Sequence, residues 1–124
     1  CRADCITDSG WVVDLKTTQN ASPEAFTKTI ANYQYHVQAG FYLDVIEWAT
    51  GQRPKGFLFI CVEKEAPNAV SVIRASDSMI EAGSRRAREL LDRMADCFKT
   101  LGPSRPWPAY SNDIVEVNLP PWAS

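Results

Sequence analysis

An almost unbroken apolar run, GFLFICVE, occupies residues 56–63 and limits the chain to few architectures. A short apolar run of this kind predicts a central β-strand, because such a strand is enclosed by neighbouring elements. Residues 69–75, AVSVIRA, alternate between apolar and polar side chains and predict the adjacent strand. The turn between these strands is predicted at residues 65–68, which contain Pro67. The chain is therefore expected to build a sheet around residues 56–63.

Two further strands are predicted at the start of the chain, over residues 1–7 and 11–18, with a tight turn at residues 8–10, Asp-Ser-Gly. Side chains of a strand alternate between its two faces. Asp14 and Lys16 must therefore lie on the same face of the second strand. A carboxylate and an ammonium in an otherwise apolar strand are unusual and identify this face as a candidate for chemistry.

A long helical segment is predicted between these pairs of strands. Ser22 is a favourable N-cap, and Pro23 suits the first helical position. Helical spacing then continues to about Thr50, where Gly51 ends it. Because such a run is long for one globular helix, we expect a break near residues 32–33.

The last predicted helix begins at a capping box formed by Ser78 and Glu81, and it ends at Gly102. Its predicted buried stripe consists of Ile80, Ala87, Leu90 or Leu91, Met94, Phe98 and Leu101. Residues 103–124 are rich in proline and tryptophan and are expected to form an extended arm that packs on its own domain or on another subunit. The predicted organisation is a core over residues 1–102 with an arm over residues 103–124 of the same domain.

The resulting order is strand, strand, helix, strand, strand, helix, which predicts an α/β (α+β) fold with a mixed central sheet flanked by helices. The chain contains no apolar run of the roughly 20 residues that a membrane helix requires, so no membrane partner is expected. Its net charge of −2 gives no global basic signature. A nucleic-acid partner would therefore have to be bound by local patches or by metal ions.

In a hairpin with a short turn, the first two strands are able to bring Asp4 close to Asp14. Two neighbouring carboxylates repel each other unless a proton or a cation lies between them. Mg²⁺ prefers such oxygen ligands, and Lys16 on the same face is able to orient or activate a water molecule. These are the components of metal-assisted phosphodiester hydrolysis. The alternative is a surface ion pair between Asp14 and Lys16 with a solvated Asp4, because a D-x-K tripeptide is common.

Several short motifs resemble those of nucleases. The RAD sequence at residues 2–4, followed by WVVDLKTT at residues 11–18, resembles the PD-(D/E)XK motif, with alanine in place of proline. The Q-x-x-x-Y spacing of Gln38 and Tyr42 resembles that of the RecB-like and lambda-exonuclease-like branch. Together with ADC, WPA and LP-x-WA further along the chain, the series resembles the catalytic domain of RecE-type exodeoxyribonuclease VIII. This resemblance implies a restriction-endonuclease-like core.

The resemblance also implies roles for individual residues. Asp4, Asp14 and the backbone carbonyl of Leu15 would be metal ligands for Mg²⁺, or for Mn²⁺ in its place, and Lys16 would be the catalytic lysine. The implied catalytic residues are Asp4, Asp14, Lys16, Gln38 and Tyr42. A further acidic or histidine ligand is implied in a helix before the first strand, outside this sequence.

The residues predicted to contact DNA are Thr17, Thr18, Tyr35, Gln38 and Tyr42. Tyr35 shares a helical face with Gln38 and Tyr42, because their spacing is i, i+3 and i+7. Tyr33 and Tyr35 are also able to stack on bases. Aromatic residues near a helix start more often belong to the core, so this alternative stays open for both tyrosines.

The function implied by the resemblance is a metal-dependent, ATP-independent exodeoxyribonuclease that acts on double-stranded DNA in the 5′→3′ direction. It further implies a homo-oligomeric ring, a single-strand annealing recombinase as partner, and a cytoplasmic protein of bacterial, phage or prophage origin. The alternatives are a PD-(D/E)XK endonuclease and a catalytically silent DNA-binding or oligomer scaffold. An exonuclease with an iron–sulfur cluster is disfavoured, because the spacing of the four cysteines does not supply its ligands.

Overall fold

The structure is a computed structural model that describes residues 1–111 and 113–123. Its elements in chain order are β1 (Cys5–Ile6), β2 (Trp11–Thr18), α1 (Pro23–Asn32), α2 (Tyr35–Thr50), β3 (Gly56–Glu63), β4 (Val70–Arg74), α3 (Asp77–Leu101) and a 3₁₀ turn at Pro121–Ala123. The predicted order of strands and helices is confirmed, and so is the α/β (α+β) class with a mixed central sheet flanked by helices.

Within the described residues, four strands form one sheet in the order β1-β2-β3-β4. β2 and β3 run parallel, from Trp11 opposite Gly56 to Thr18 opposite Glu63. The outer pairs β1–β2 and β3–β4 are antiparallel. Parallel neighbours need a long crossover connection, and α1 and α2 supply it. This crossover brings α2 over the face of β2 that carries the candidate residues.

The strand predicted over residues 1–7 is much shorter in the structure, where β1 comprises Cys5 and Ile6. The cause is the side chain of Asp4, whose Oδ2 accepts a hydrogen bond from the Leu15 N–H at 3.0 Å. A backbone carbonyl would accept this N–H in a longer ladder. The Asp4 carboxylate therefore replaces a rung of the sheet, which sequence alternation alone does not reveal.

The helical boundaries agree with the predicted signals. Ser22 caps α1 by accepting a hydrogen bond from a backbone N–H three residues later, and Pro23 occupies the first position. The break between α1 and α2 is formed by Tyr33 and Gln34, and Gln34 has a left-handed φ of 55°. Gly51, with a φ of 73°, ends α2. The break matters because it sets the orientation of the first turn of α2.

The core lies between the sheet and the helices α1 and α2. It consists of the buried side chains Val12, Ala21, Phe26, Ile30, Ala39, Leu43, Phe57, Phe59, Cys61, Ala75 and Ile80. Alternation along β3 buries Phe57 and Phe59 completely, whereas Leu58 and Ile60 on the other face are half-buried. The face of β2 that carries Asp14 is therefore the core face of the sheet.

The start of α3 differs from the prediction. Ser76 caps the helix, because its Oγ accepts a hydrogen bond from the Met79 N–H at 3.2 Å. The predicted capping box of Ser78 and Glu81 is therefore wrong, and the Ser78 hydroxyl instead lies 3.1 Å from that of Ser76. The segment holds two serines at suitable spacing, and the sequence pattern does not distinguish between them.

The predicted stripe of α3 is correct in its first half only. Ile80 and Ala87 are buried, and Leu101 is half-buried. The remaining members are 38–57% exposed, namely Leu90, Leu91, Met94 and Phe98. Helical periodicity identifies an apolar face, but it does not say how far the surface that covers this face extends.

α2 and α3 cross at two glycines. A Cβ atom on Gly83 would collide with the backbone carbonyl of His36, and one on Gly40 would collide with the backbone of Ser84. The backbones can approach this closely because neither glycine has a side chain. This crossing fixes the first turns of α2, which carry the candidate residues Tyr35 and Gln38.

The chain divides into two compact units, residues 1–91 and the part from residue 92 onward. In the second unit, the Trp107 indole N–H donates a hydrogen bond to the Gly102 carbonyl at 3.0 Å. Tyr110, Val117 and Trp122 are each at least 85% exposed. The predicted arm at 103–124 includes Asn112 and Ser124, which lie outside the described residues, and the predicted boundary after residue 102 stays a prediction.

No helix in the described part of the chain combines the length and the apolar character that crossing a membrane would require.

Candidate functional site

Asp14 and Lys16 form an ion pair on the core face of β2. The Lys16 Nζ lies 2.6 Å from the Asp14 Oδ2, and the Asp14 side chain is 5% exposed. Cys61 is the register partner of Lys16 on β3, and burial raises the pKa of its thiol above the ordinary value. This thiol therefore stays neutral and adds no charge beside the pair. Burial of a carboxylate at this depth is costly unless it is paired and hydrogen-bonded.

Gln38 from α2 links the two charged groups. Its Nε2 donates a hydrogen bond to the Asp14 Oδ1 at 3.1 Å, and its Oε1 accepts one from the Lys16 Nζ at 3.0 Å. One amide thus serves both charged groups, because its N–H donates to the carboxylate and its oxygen accepts from the ammonium. The three side chains, which we call the Asp14–Lys16–Gln38 cluster, hold one another in a single arrangement.

Tyr35 lies one turn before Gln38 and supports the cluster. The Lys16 Nζ lies 4.4 Å from the centroid of the Tyr35 ring, a distance at which a cation is attracted to the ring face. The same ring packs against Phe26 and Phe59 in the core. The Tyr35 ring therefore packs against the core and also contacts the candidate lysine, and its predicted contact with DNA stays a prediction.

Tyr42 lies one turn beyond Gln38, on the side of α2 that faces the sheet. Its ring is half-buried and meets Phe57 edge-on, with 6.4 Å between centroids. Its described contacts are with the core, and the structure does not bring it into the Asp14–Lys16–Gln38 cluster. Its predicted contact with DNA stays a prediction.

Asp4 approaches the site from β1. The pairing of Cys5 with Val13 continues to place Asp4 opposite Asp14, and the Asp4 carboxylate accepts the Leu15 N–H. The N–H and C=O of a strand residue point to the same side. The Leu15 carbonyl therefore faces the edge that the Asp4 carboxylate occupies, beyond the last paired residue of β1.

The site offers oxygen donors that suit a divalent cation. Asp4, Asp14 and the Leu15 carbonyl offer oxygen atoms, the ligands that Mg²⁺ prefers. The buried Asp14 Oδ2 forms no hydrogen bond of acceptable geometry in the described chain, although Lys16 lies beside it. Among the described residues, no group of three or more His, Cys, Asp or Glu side chains is placed to hold a metal. These donors fit a cation whose remaining ligands are water and substrate, and they do not form a closed protein cage.

An open cleft of about 580 Å³ adjoins the cluster at the end of β2. It is lined by Thr17, Thr18, Gln19, Asn20, Ala25, Thr29, Tyr33, Tyr35 and Lys64. Three of the residues predicted to contact DNA, Thr17, Thr18 and Tyr35, therefore line one cleft. By strand alternation Thr18 shares the face of Lys16 and Thr17 does not, and the Thr18 hydroxyl is bonded to the Asn20 carbonyl.

The other lining residues were not among those predicted to contact DNA, and two of them, Tyr33 and Lys64, carry side chains suited to that contact. Lys64 directly follows β3, and its N–H donates a hydrogen bond to the Thr18 carbonyl at 3.0 Å. The parallel register of β2 and β3 brings the two residues together, and no pattern within either strand encodes that register. The position of Tyr33 could have been recognised from the sequence, since it stands at the predicted helix break, where a side chain is exposed more often than within a helix.

Gln38→Leu is expected to lower the free energy of unfolding by about 2 kcal/mol, because hydrogen bonds to both charged groups are lost. Equilibrium urea unfolding measures this difference. Gln52→Leu, in the exposed loop after α2, is the matched control and should change stability by less than about 0.5 kcal/mol. Equal unfolding midpoints for Gln38→Leu and the original protein would show that the amide does not hold the ion pair.

Comparison with known protein families identifies the class of domain. Residues 1–115 match the model of a family described as a PDDEXK-like domain of unknown function (DUF3799). No curated protein shows significant similarity to the sequence.

Among solved structures, the chain is similar to the crystal structure of a protein from Eubacterium rectale titled "Putative exonuclease". The TM-score is 0.64, the sequences are 14% identical, and the match covers 95% of this chain and 48% of the other. At this identity the likeness concerns the fold. The chain spans about half the length of that protein.

Proposed function

Because the chain belongs to the PDDEXK-like family, whose model matches residues 1–115, we propose that it is a nuclease domain that hydrolyses phosphodiester bonds in DNA. The observation that carries this proposal is the Asp14–Lys16–Gln38 cluster. A D-x-K sequence was compatible with a solvated surface pair, but here the Asp14 side chain is buried and held by an amide from another element. Burying a charge in this way is costly, and a buried ion pair is weak evidence for stability, so its position beside a cleft favours a functional role.

Each side chain has a distinct proposed task. Lys16 balances the negative charge that develops on the phosphate in the transition state and orients the attacking water. Gln38 holds the ammonium in position, and the Tyr35 ring limits its movement from the other side. Asp4, Asp14 and the Leu15 carbonyl are the proposed ligands of Mg²⁺, with Mn²⁺ as a substitute. When bound, this cation supplies Lewis-acid polarisation of a phosphate oxygen.

We also propose the more specific activity that the resemblance implies. The ordered series of short motifs favours a RecE-type, ATP-independent exodeoxyribonuclease acting 5′→3′ on double-stranded DNA. The corresponding partners are a single-strand annealing recombinase and further copies of this chain in a ring around DNA. The proposed location is the cytoplasm of a bacterium, with a prophage or phage as the source of the gene.

The test of this proposal is a degradation assay without ATP. Linear duplex DNA is expected to be degraded in the presence of Mg²⁺ and to stay intact with a chelator, whereas covalently closed circular DNA should resist. Release of a 5′ label before a 3′ label would establish the direction. Cutting of the circular substrate would instead identify an endonuclease.

A silent scaffold is distinguished by metal binding. Calorimetric titration of the protein with Mg²⁺ or Mn²⁺ should show uptake that Asp14→Asn abolishes. If the chain binds neither cation and leaves linear DNA intact, the nuclease proposal is wrong and the scaffold is favoured.

A further inference from the structure

The cleft at the end of β2 is connected to Lys16 by a continuous stack of aromatic rings. The Tyr35 ring lies against the Lys16 ammonium, and the Tyr33 ring stacks on Tyr35 with 5.6 Å between centroids and 20° between planes. Tyr33 is 70% exposed. One face of its ring is therefore covered by Tyr35, while the side chain as a whole stays open to solvent.

The position of Tyr33 is fixed by the backbone. Tyr33 caps the end of α1, with N–H contacts to the Thr29 and Ala31 carbonyls, and Gln34 then takes the left-handed conformation that starts α2. An exposed aromatic ring held at a rigid helix junction differs from one on a mobile loop. Because the ring also stacks on Tyr35, part of the cost of ordering it is already met, and such a ring is a favourable surface for stacking.

The charge of the cleft suits a nucleic acid. Its described lining residues include Lys64 and the amide side chains of Gln19 and Asn20, and none of them is acidic. The other large cleft, between α2 and α3, has a lining of mixed charge that includes Asp44, Glu47 and Glu81. Three arginines, Arg53, Arg85 and Arg88, balance those carboxylates, and Arg53 is paired with two of them. The cleft beside Lys16 differs because it offers an ammonium and neutral donors without acidic lining residues.

The size of the cleft and the Tyr33 ring together indicate the form of DNA. A volume of about 580 Å³ lies within the roughly 300–1,000 Å³ of sites for small organic molecules, so the cleft has room for a single nucleotide. A base inside a duplex is stacked on both sides and has no free face for Tyr33. An unpaired base has both faces free, and stacking on an aromatic side chain is tolerant of base identity.

We propose that this cleft binds an unpaired nucleotide of a DNA strand, with its base stacked on Tyr33 and its phosphate bound by Lys64. This inference rests on the proposed nuclease function, because it specifies the substrate of the same site. The substrate class is therefore DNA with a frayed or single-stranded segment next to the cleaved bond. The base preference is expected to be weak, since no acceptor or donor pattern for a particular base is required.

The test is fluorescence anisotropy with a labelled oligothymidylate and a blunt duplex, in the presence of a chelator so that no hydrolysis occurs. Tyr33→Ala is expected to weaken binding of the single strand about tenfold, and Tyr33→Phe should retain it, because the ring supplies the contact. Trp48→Ala removes a still more exposed aromatic side chain outside the cleft and should leave the affinity unchanged. The logarithm of the binding constant falls linearly with the logarithm of the salt concentration, and Lys64→Ala should make this slope shallower by about 0.7.

The outcomes separate this inference from the nuclease proposal. Equal binding of the single strand by Tyr33→Ala and the original protein overturns the inference, even if Asp14-dependent hydrolysis is observed. The choice of an unpaired nucleotide is overturned if the protein binds the blunt duplex as tightly as the single strand and Tyr33→Ala weakens both to the same extent. Tyr33-dependent binding by a protein that hydrolyses no DNA supports the inference and refutes the nuclease function.

Discussion

Asp14→Asn is expected to lower the rate of phosphodiester hydrolysis by about 100- to 1,000-fold, the range found when one charged or polar group is removed from an active site. Asparagine preserves the shape of the side chain and can still accept the hydrogen bond from Gln38. It removes the negative charge that binds a cation and that holds Lys16 at 2.6 Å. The initial rate of nucleotide release from linear duplex DNA measures the loss.

This variant also affects stability, so folding and activity must be separated. Removing one partner of a buried ion pair typically costs about 3–5 kcal/mol, whereas removing both is often nearly neutral. The double variant Asp14→Asn with Lys16→Met should therefore recover much of the stability that Asp14→Asn loses and should remain inactive. Urea unfolding and the hydrolysis assay on the same preparations distinguish the two effects.

Asp8→Asn is the matched control, since Asp8 is an exposed carboxylate in the turn before β2. It should retain full activity and stability. If Asp14→Asn degrades linear DNA as fast as Asp8→Asn, the buried carboxylate has no part in the reaction and the proposed mechanism is wrong.

The arrangement of β2 was predictable because it depends on local geometry. Alternation places Asp14 and Lys16 on one face of any strand, and the i, i+3 spacing places Tyr35 and Gln38 on one face of any helix. The sequence could not predict that this face of the helix packs against this face of the strand. The hydrogen bonds from Gln38 to both charged groups depend on how α2 lies across the sheet.

The predictions that were wrong involve competition between alternatives of similar energy. Asp4 was assigned to a strand, but its carboxylate satisfies the Leu15 N–H and ends the ladder. Ser76 and Ser78 are both competent caps, and the folded chain uses Ser76. In each case a side chain competes with the backbone or with another side chain for the same donor, and sequence propensity does not rank the competitors.

Gly83→Ala is expected to destabilise the protein by about 3 kcal/mol, although helix propensity alone predicts the opposite sign. Alanine in a helix interior is favoured over glycine by roughly 1 kcal/mol. At position 83, however, the new Cβ would collide with the His36 carbonyl, which is backbone and cannot move without displacing α2. Overpacking of a closely fitted contact typically costs 1–3 kcal/mol or more. Equilibrium urea unfolding measures the net effect.

The same substitution should also reduce hydrolysis, because His36 lies two residues before Gln38 and a displaced α2 separates Gln38 from Asp14. Glu81→Ala, at an exposed position of the same helix, controls for the change in helix propensity and should leave both stability and hydrolysis nearly unchanged. A Gly83→Ala protein that is as stable as the Glu81→Ala protein would show that α2 and α3 do not require this contact. The position of Gln38 would then have to be set by the sheet and α1 alone.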